Sequence, residues 1–167
     1  MRVFSRKSTY GLRAMCHLAA RYNTGRVVIS ELAEKEHVPP KFLEAILLEL
    51  NQAGLLDSRK GRHGGYQLAV PPGKITLNAV ITALEGPFSP LPCTGIGKAT
   101  CEECSGPGDC PMRLIARSLK REIDGHLDGI SIEDLLARSQ APSGADASID
   151  EEAKHGRAER GEEERYV

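Results

Sequence analysis

The sequence predicts a mainly α-helical protein with one small β-hairpin, and three observations predict it. Apolar residues recur at helical spacing through most of the chain up to about residue 138. Two of the helical stretches meet at the consecutive prolines Pro39 and Pro40. Two short apolar segments then flank the basic, glycine-bearing stretch RKGRHGG, as the arms of a hairpin flank its turn.

The first helix comes from residues 8–22, STYGLRAMCHLAARY, where Leu12, Met15, Leu18, Ala19 and Tyr22 form one apolar stripe. Cys16 and His17 on this helix read as structural: a small buried hydrophobe and a partly exposed polar neighbour. VVISELAEKEHVPPKFLEAILLELNQAGLLDS reads as two more helices. Ser30 is placed to cap the first and Ile29 to act as its hydrophobic staple. That helix ends before Val38-Pro39-Pro40, because proline lacks a backbone donor and turns the preceding residue away from helical geometry. The second helix starts at the same prolines, turns Phe42, Leu43, Ile46, Leu47 and Leu50 inward, and stops at Gly54.

A short helix, a tight turn and a longer helix make a helix-turn-helix pattern. Leu55 to Ser58 and Tyr66 to Ala69 follow as two short strands, with Arg59, Lys60, Arg62 and His63 charging the turn between them. A helix-turn-helix followed by such a hairpin is a winged helix-turn-helix, whose second helix enters the major groove while the wing reaches phosphate or the minor groove. The same turn also suits a solvated loop, but its position directly after the helix pair favours the wing.

ITLNAVITALEG predicts a further helix closed by Gly86, and the prolines of PFSPLPC exclude regular structure after it. In PMRLIARSLKREIDGHLDG, Met112, Ile115, Leu119, Ile123 and Leu127 share one face. This long C-terminal helix lies outside the winged unit and suits either packing back on its own domain or pairing with a second copy of the chain, and the second is favoured, as expected of a reader of two-fold-related half-sites. ISIEDLLARS reads as a last short helix. Beyond it the chain is charged and poor in large apolar residues, a composition that predicts disorder, with His155 a solvated side chain. The expected organisation is a DNA-binding winged helix over 1–86, a cysteine-rich loop over 87–110, a dimerisation helix with a short terminal helix over 111–138, and a disordered acidic tail over 139–167.

With 40% hydrophobic and 27% charged residues the composition is that of a soluble globular protein, and no apolar run is long enough to cross a bilayer. MRVFSRKSTYGLR lacks the features of a secretory signal, so a cytoplasmic protein without membrane partners is expected. The net charge of −1 hides an asymmetry. Residues 1–75 carry twelve Lys and Arg against six Asp and Glu, residues 76–138 six against nine, and the last 29 four against eight. The basic N-terminal half suits a polyanionic partner.

Four of the five cysteines fall in one eighteen-residue window, as Cys93, Cys101, Cys104 and Cys110, separated by seven, two and five residues. In a reducing compartment such a cluster points to metal or redox chemistry. Thiolates on short glycine-rich loops can converge on an iron-sulfur cluster, and four of them can equally hold a tetrahedral zinc. Spacing alone leaves both open, with uncomplexed redox thiols as a third possibility. No nucleophile and base occur in a suitable context, and GRHGG lacks the lysine and spacing of a phosphate loop, so the chain is not expected to be an enzyme.

The opening MRVFSRKSTYGLRAM, the stretch FLEAILLELNQAGLLDSRKGRHGGYQLA, ITLNAVITALEG, and Cys104-SGPGD-Cys110 leading into a long helix occur in this order. The chain resembles the IscR and NsrR family of bacterial winged-helix regulators, the Rrf-type regulators, over roughly residues 1–138. Gly64-Gly65-Tyr66 in the wing is the most specific part of the match. The resemblance implies a homodimeric repressor or activator that binds double-stranded DNA at a palindromic operator. It also implies sensing of redox state, nitric oxide or iron-sulfur supply through a bound cluster, 2Fe-2S or 4Fe-4S, although some members carry none. Cluster-bearing members combine three loop cysteines with a histidine after the last cysteine or an acidic residue near the N-terminus. Arg113 and Thr9 stand where those ligands would be. Cys93, Cys104 and Cys110 are therefore expected as ligands, with Cys101 as candidate fourth. For DNA the candidates are Lys41 near the start of the recognition helix and Arg59, Lys60, Arg62, His63, Gly64 and Gly65 in the wing, with Ser5, Arg6 and Lys7 as weaker backbone contacts. The competing readings are a zinc-stapled or thiol-based regulator, or a winged protein-interaction module without an iron-sulfur cluster.

Overall fold

The computed structural model describes residues 4–61, 64–91, 94 and 110–140. Met1–Leu136 form one compact unit and Ala137–Val167 a second. The elements are α1 (Arg6–Ala20), α2 (Ile29–Glu36), α3 (Pro40–Gln52), β1 (Leu56–Arg59), β2 (Gly65–Leu68), a 3-10 turn at Pro72–Lys74, α4 (Leu77–Glu85), α5 (Pro111–Asp128) and α6 (Ile132–Gln140). The mainly α fold with a two-stranded antiparallel hairpin is the predicted one.

α1 begins earlier than its apolar stripe suggests, because Ser5 forms a capping box. Its hydroxyl oxygen accepts from the backbone N–H of Lys7 and Ser8, while its own N–H donates to the Ser8 hydroxyl at 2.9 Å. Arg6 and Lys7 are thus first-turn residues and not a free arm. Ser30 does not cap α2: the cap is Val28, whose side chain makes no capping bond, and Ser30 lies inside the helix. The α2–α3 turn is made by His37 in the left-handed region at φ 52° and by the prolines.

The core is made by Met15, Leu18, Leu32, Leu43, Ile46, Leu47, Leu50, Ile75, Val80 and Ile132, all essentially buried. α1, α2, α3 and α4 surround it, and β1 packs on α3. Phe42 departs from its predicted inward place. It stays exposed at the flank of α3, edge-to-face with Tyr10 of α1 at a centroid distance of 6.0 Å. α6 is fastened beside α4 by backbone bonds of 2.8 Å from Leu77 to Ile130 and from Ile132 to Ile75.

Candidate DNA-binding face and cysteine loop

The buried side of α3 is Leu43, Ile46, Leu47 and Leu50, which leaves Lys41, Glu44, Ala45, Leu48 and Gln52 facing solvent. Lys41 is the second residue of the helix. The hairpin follows within a few residues, in the register Leu56 with Leu68, Asp57 with Gln67, Ser58 with Tyr66 and Arg59 with Gly65. Leu56 and Leu68 anchor its base in the core, and the polar residues of β1 point out. Each strand starts and ends within one residue of its predicted place. Arg59 ends β1 and Lys60 follows it, both exposed. Arg62 and His63 lie outside the described residues.

Gly64 and Gly65 have backbone reasons to be glycine. The N–H of Gly64 closes the turn on the Gly61 carbonyl at 2.9 Å, and a Cβ there would collide with the Arg59 carbonyl. Gly65 has φ 142°, and a Cβ on it would stand 2.5 Å from the Val27 carbonyl oxygen. Val27 and Tyr66 exchange two backbone bonds of 2.9 Å, adding the segment before α2 to the edge of β2. Burial first, and then the Glu44 carboxylate, hold the Tyr66 phenol above its ordinary pKa.

The cations of the basic half divide into two kinds. Lys7 pairs with Glu49 of α3 at 2.6 Å and donates to the Leu84 carbonyl at the end of α4. Arg13 pairs with Glu36, Arg21 with Glu31 and Arg26 with Asp57. Lys41, Arg59 and Lys60 have no ion-pair partner among the described residues, and neither have Arg6, Lys35 and Lys74, which lie on other exposed parts of the winged unit. Lys7, one of the weaker DNA candidates, is thus engaged within its own chain, and the Arg26 pair is a wing contact that charge counting could not single out.

Of the cysteine window the described residues include Cys110, the half-buried N-cap of α5, whose side chain makes no capping hydrogen bond. Cys93, Cys101 and Cys104 lie outside the described residues. Arg113, one turn into α5, is half-buried, and a guanidinium is no metal ligand. Thr9 is exposed and donates its hydroxyl to the Ser5 carbonyl at 2.8 Å, so its oxygen serves its own helix. Cys16 keeps its structural reading. Burial, reinforced by the Glu36 carboxylate, pushes its thiol up to about 11, which keeps it protonated and unreactive at neutral pH. His17 is more enclosed than predicted, with Nδ1 3.6 Å from Glu36 Oε1.

α5 lays Ala116 and Leu127 against its own chain. Its predicted apolar face is only partly covered: Ile123 packs on the core, whereas Met112, Ile115 and Leu119 are 59%, 62% and 42% exposed. Among the described residues no helix is long and apolar enough to cross a membrane.

Residues 4–138 match the model of the Rrf2 family, described as iron-dependent transcriptional regulator. The chain belongs to the Rrf2 family of transcriptional regulators. The transcriptional regulator IscR of Aliivibrio salmonicida is 29% identical over 140 residues, spanning 84% of this chain and 80% of that one. Among solved structures, CymR, the global cysteine regulator of B. subtilis, superimposes with a TM-score of 0.66 at 30% identity, covering 83% of this chain and 98% of that one. IscR of T. potens superimposes with a TM-score of 0.64 at 28% identity, covering 84% and 93%. For this Rrf2 regulator the likeness to both IscR and CymR fixes the winged fold, and it leaves the chemistry of the cysteines to the donor set.

Proposed function

We propose that the chain is a homodimeric regulator that binds double-stranded operator DNA and whose affinity is set by an iron-sulfur cluster on the Cys93 to Cys110 loop. The observation that carries the DNA part is that Lys41 on α3 and Arg59 and Lys60 on the wing are exposed cations without ion-pair partners among the described residues. Lys41 meets the duplex at the N-terminal turn of the recognition helix, and Arg59 and Lys60, with Arg62 and His63 between the strands in sequence, serve backbone phosphate. Gly64 and Gly65 serve by shaping the wing.

The donor set fits a cluster. Cys93, Cys101, Cys104 and Cys110 would hold it as thiolates, with Cys101 in place of the histidine or carboxylate that Arg113 and Thr9 cannot supply. Cys110 favours this: its sulfur stands at the N-terminus of α5, where the helix dipole stabilises a thiolate. A bound cluster supplies a redox- and nitric-oxide-sensitive group whose gain or loss is visible in absorption. The loop runs between Gly86, which closes α4, and Cys110, which opens α5, so gain or loss of the cluster would shift α5 relative to the winged unit and alter the spacing of the two wings in a dimer. Met112, Ile115 and Leu119 give that dimer its apolar stripe.

Anaerobic purification tests the cofactor. Brown protein with visible absorption and iron and sulfide in equal amounts supports the reading. A colourless protein with stoichiometric zinc makes the loop a zinc staple, and a metal-free protein with reactive thiols makes it a thiol sensor. Operator affinity before and after removal of the cluster then tests the switch, and equal affinities in one buffer reject it. Replacing Lys60 by Gln should lower the magnitude of the salt slope by about one, as expected for one lost phosphate contact.

A further inference from the structure

Arg26 lies in the segment joining α1 to α2, and its side chain is only 19% exposed. Its guanidinium reaches across the base of the hairpin. Nη2 pairs with Asp57 Oδ2 at 2.6 Å, and Nη1 donates to the Asp57 carbonyl at 3.0 Å and to the Gly65 carbonyl at 3.4 Å. One planar cation so holds β1 and β2 together, with a fork that a lysine does not have. The next residue, Val27, is the one that pairs with Tyr66. Gln67, opposite Asp57 in the hairpin, adds a bond from Nε2 to the same carboxylate oxygen at 3.4 Å. The wing is therefore clamped side-on to the segment that leads into the helix-turn-helix, besides being joined to α3 through the chain.

We infer that Arg26 is a positioning residue for the wing: its fork on Asp57 and Gly65 sets the angle at which the hairpin leaves the helix-turn-helix, and DNA affinity depends on Arg26 through that angle. Arg26 is one of the twelve cations of residues 1–75, yet its guanidinium is engaged with protein acceptors and does not serve as a phosphate contact. The inference rests on the reading of the wing as a DNA-contacting element.

The sign of one substitution separates positioning from charge. The Asp57 side chain is 51% exposed on the wing, so by field alone Asp57→Asn removes a negative charge near a polyanion and strengthens binding. Loss of the clamp weakens it. The test uses the full chain and a duplex selected from a randomised pool by the wild-type protein, with affinity measured over a range of salt. Asp57→Asn, Arg26→Gln and Arg26→Lys should each weaken binding by about fivefold, the upper end for a partly exposed pair. The double variant Arg26→Gln with Asp57→Asn should be no weaker than either single one, because both remove the same fork. The salt slope of Arg26→Gln should equal that of the wild type. An Asp57→Asn protein that binds as tightly as the wild type or more tightly overturns the inference, and so does a slope that falls by about one in Arg26→Gln. Amide exchange in the same proteins gives a readout that needs no DNA. The Val27 and Tyr66 amides should exchange faster in Asp57→Asn while those of α3 are unchanged, and unchanged exchange at Val27 and Tyr66 also overturns the positioning role. A wild-type chain that selects no duplex overturns the DNA reading alone.

Discussion

Ile115→Ala tests the proposed dimer at its most exposed β-branched residue. The substitution removes the side chain beyond Cβ, worth about 0.8 kcal/mol for each carbon taken fully out of water. Ile115 is 62% exposed in the single chain, so a partner can still remove about 1.5 kcal/mol worth of that surface from water per copy. A two-fold interface contains the substitution twice, which gives about 3 kcal/mol and a dimer dissociation constant raised on the order of a hundredfold. Sedimentation equilibrium over a dilution series reads this directly, and thermal unfolding of the monomeric fraction should change little because the side chain contributes little to its own subunit's core. Leu114→Ala is the control. Leu114 is 66% exposed but lies about 100° around the helix from Ile115, away from the stripe of Met112, Ile115 and Leu119. An unchanged dissociation constant in Ile115→Ala, or an equal loss in Leu114→Ala, would refute the assignment of the stripe.

Gly65→Ala should cost about 1–3 kcal/mol of strain at φ 142° and drive a Cβ against the Val27 carbonyl, so DNA affinity should fall while the helical circular dichroism is retained. Gly25→Ala, at φ 128° but with open space around it, should lower stability and leave the wing in place, as read by amide exchange of Tyr66. Ser5→Ala removes the capping box of α1 and should lower the unfolding free energy by about 1 kcal/mol in urea titrations. Cys16, with its thiol pushed up to about 11 from 9.0, should have a thiolate fraction at neutral pH about a hundredfold below that of an ordinary thiol, read as slow alkylation. The folded chain holds that proton more tightly than the unfolded one, so the stability Cys16 contributes is present below pH 9 and is lost as pH rises towards 11, a slope that Cys16→Ala should lack.

The elements were legible where periodicity and punctuation agree. Pro39-Pro40 and Gly54 bracket α3, and Gly86 closes α4 as the sequence suggests. The errors came where a local signal had a tertiary competitor. Ser30 has the chemistry of a cap, but Val28 takes the extended cap conformation beside Val27, which pairs with Tyr66, and the helix starts ahead of Ser30. Phe42 belongs by hydrophobicity to the inner face of α3, but its place on the helix turns it to the flank, where Tyr10 gives it a partner. Arg26 left a faint trace in the sequence: it precedes Val27-Val28-Ile29, a β-branched run that can add to a sheet edge. No local pattern names Asp57, some thirty positions away, as its partner.

The charge asymmetry shows how such long-range pairing alters a sequence argument. Twelve cations against six acids in residues 1–75 suggest a diffuse positive surface. In the fold, Glu49, Glu36, Glu31 and Asp57 are each matched to a specific cation of α1 or of the segment after it, so Lys7, Arg13, Arg21 and Arg26 add little to the outward field. At separations of a few ångströms the pair field falls off quickly, and at physiological salt it is screened beyond about 8 Å. Lys41, Arg59 and Lys60, without ion-pair partners among the described residues, sit on the recognition helix and the wing, the two elements a winged helix lays on a duplex, whereas the equally unpaired Arg6, Lys35 and Lys74 do not. A chain of net charge −1 can therefore bind a polyanion, because affinity depends on which cations lack a partner and where they stand. Removing residues 141–167 should then leave the salt slope unchanged, and a steeper slope in the truncated chain would mean that the tail competes with DNA for the wing.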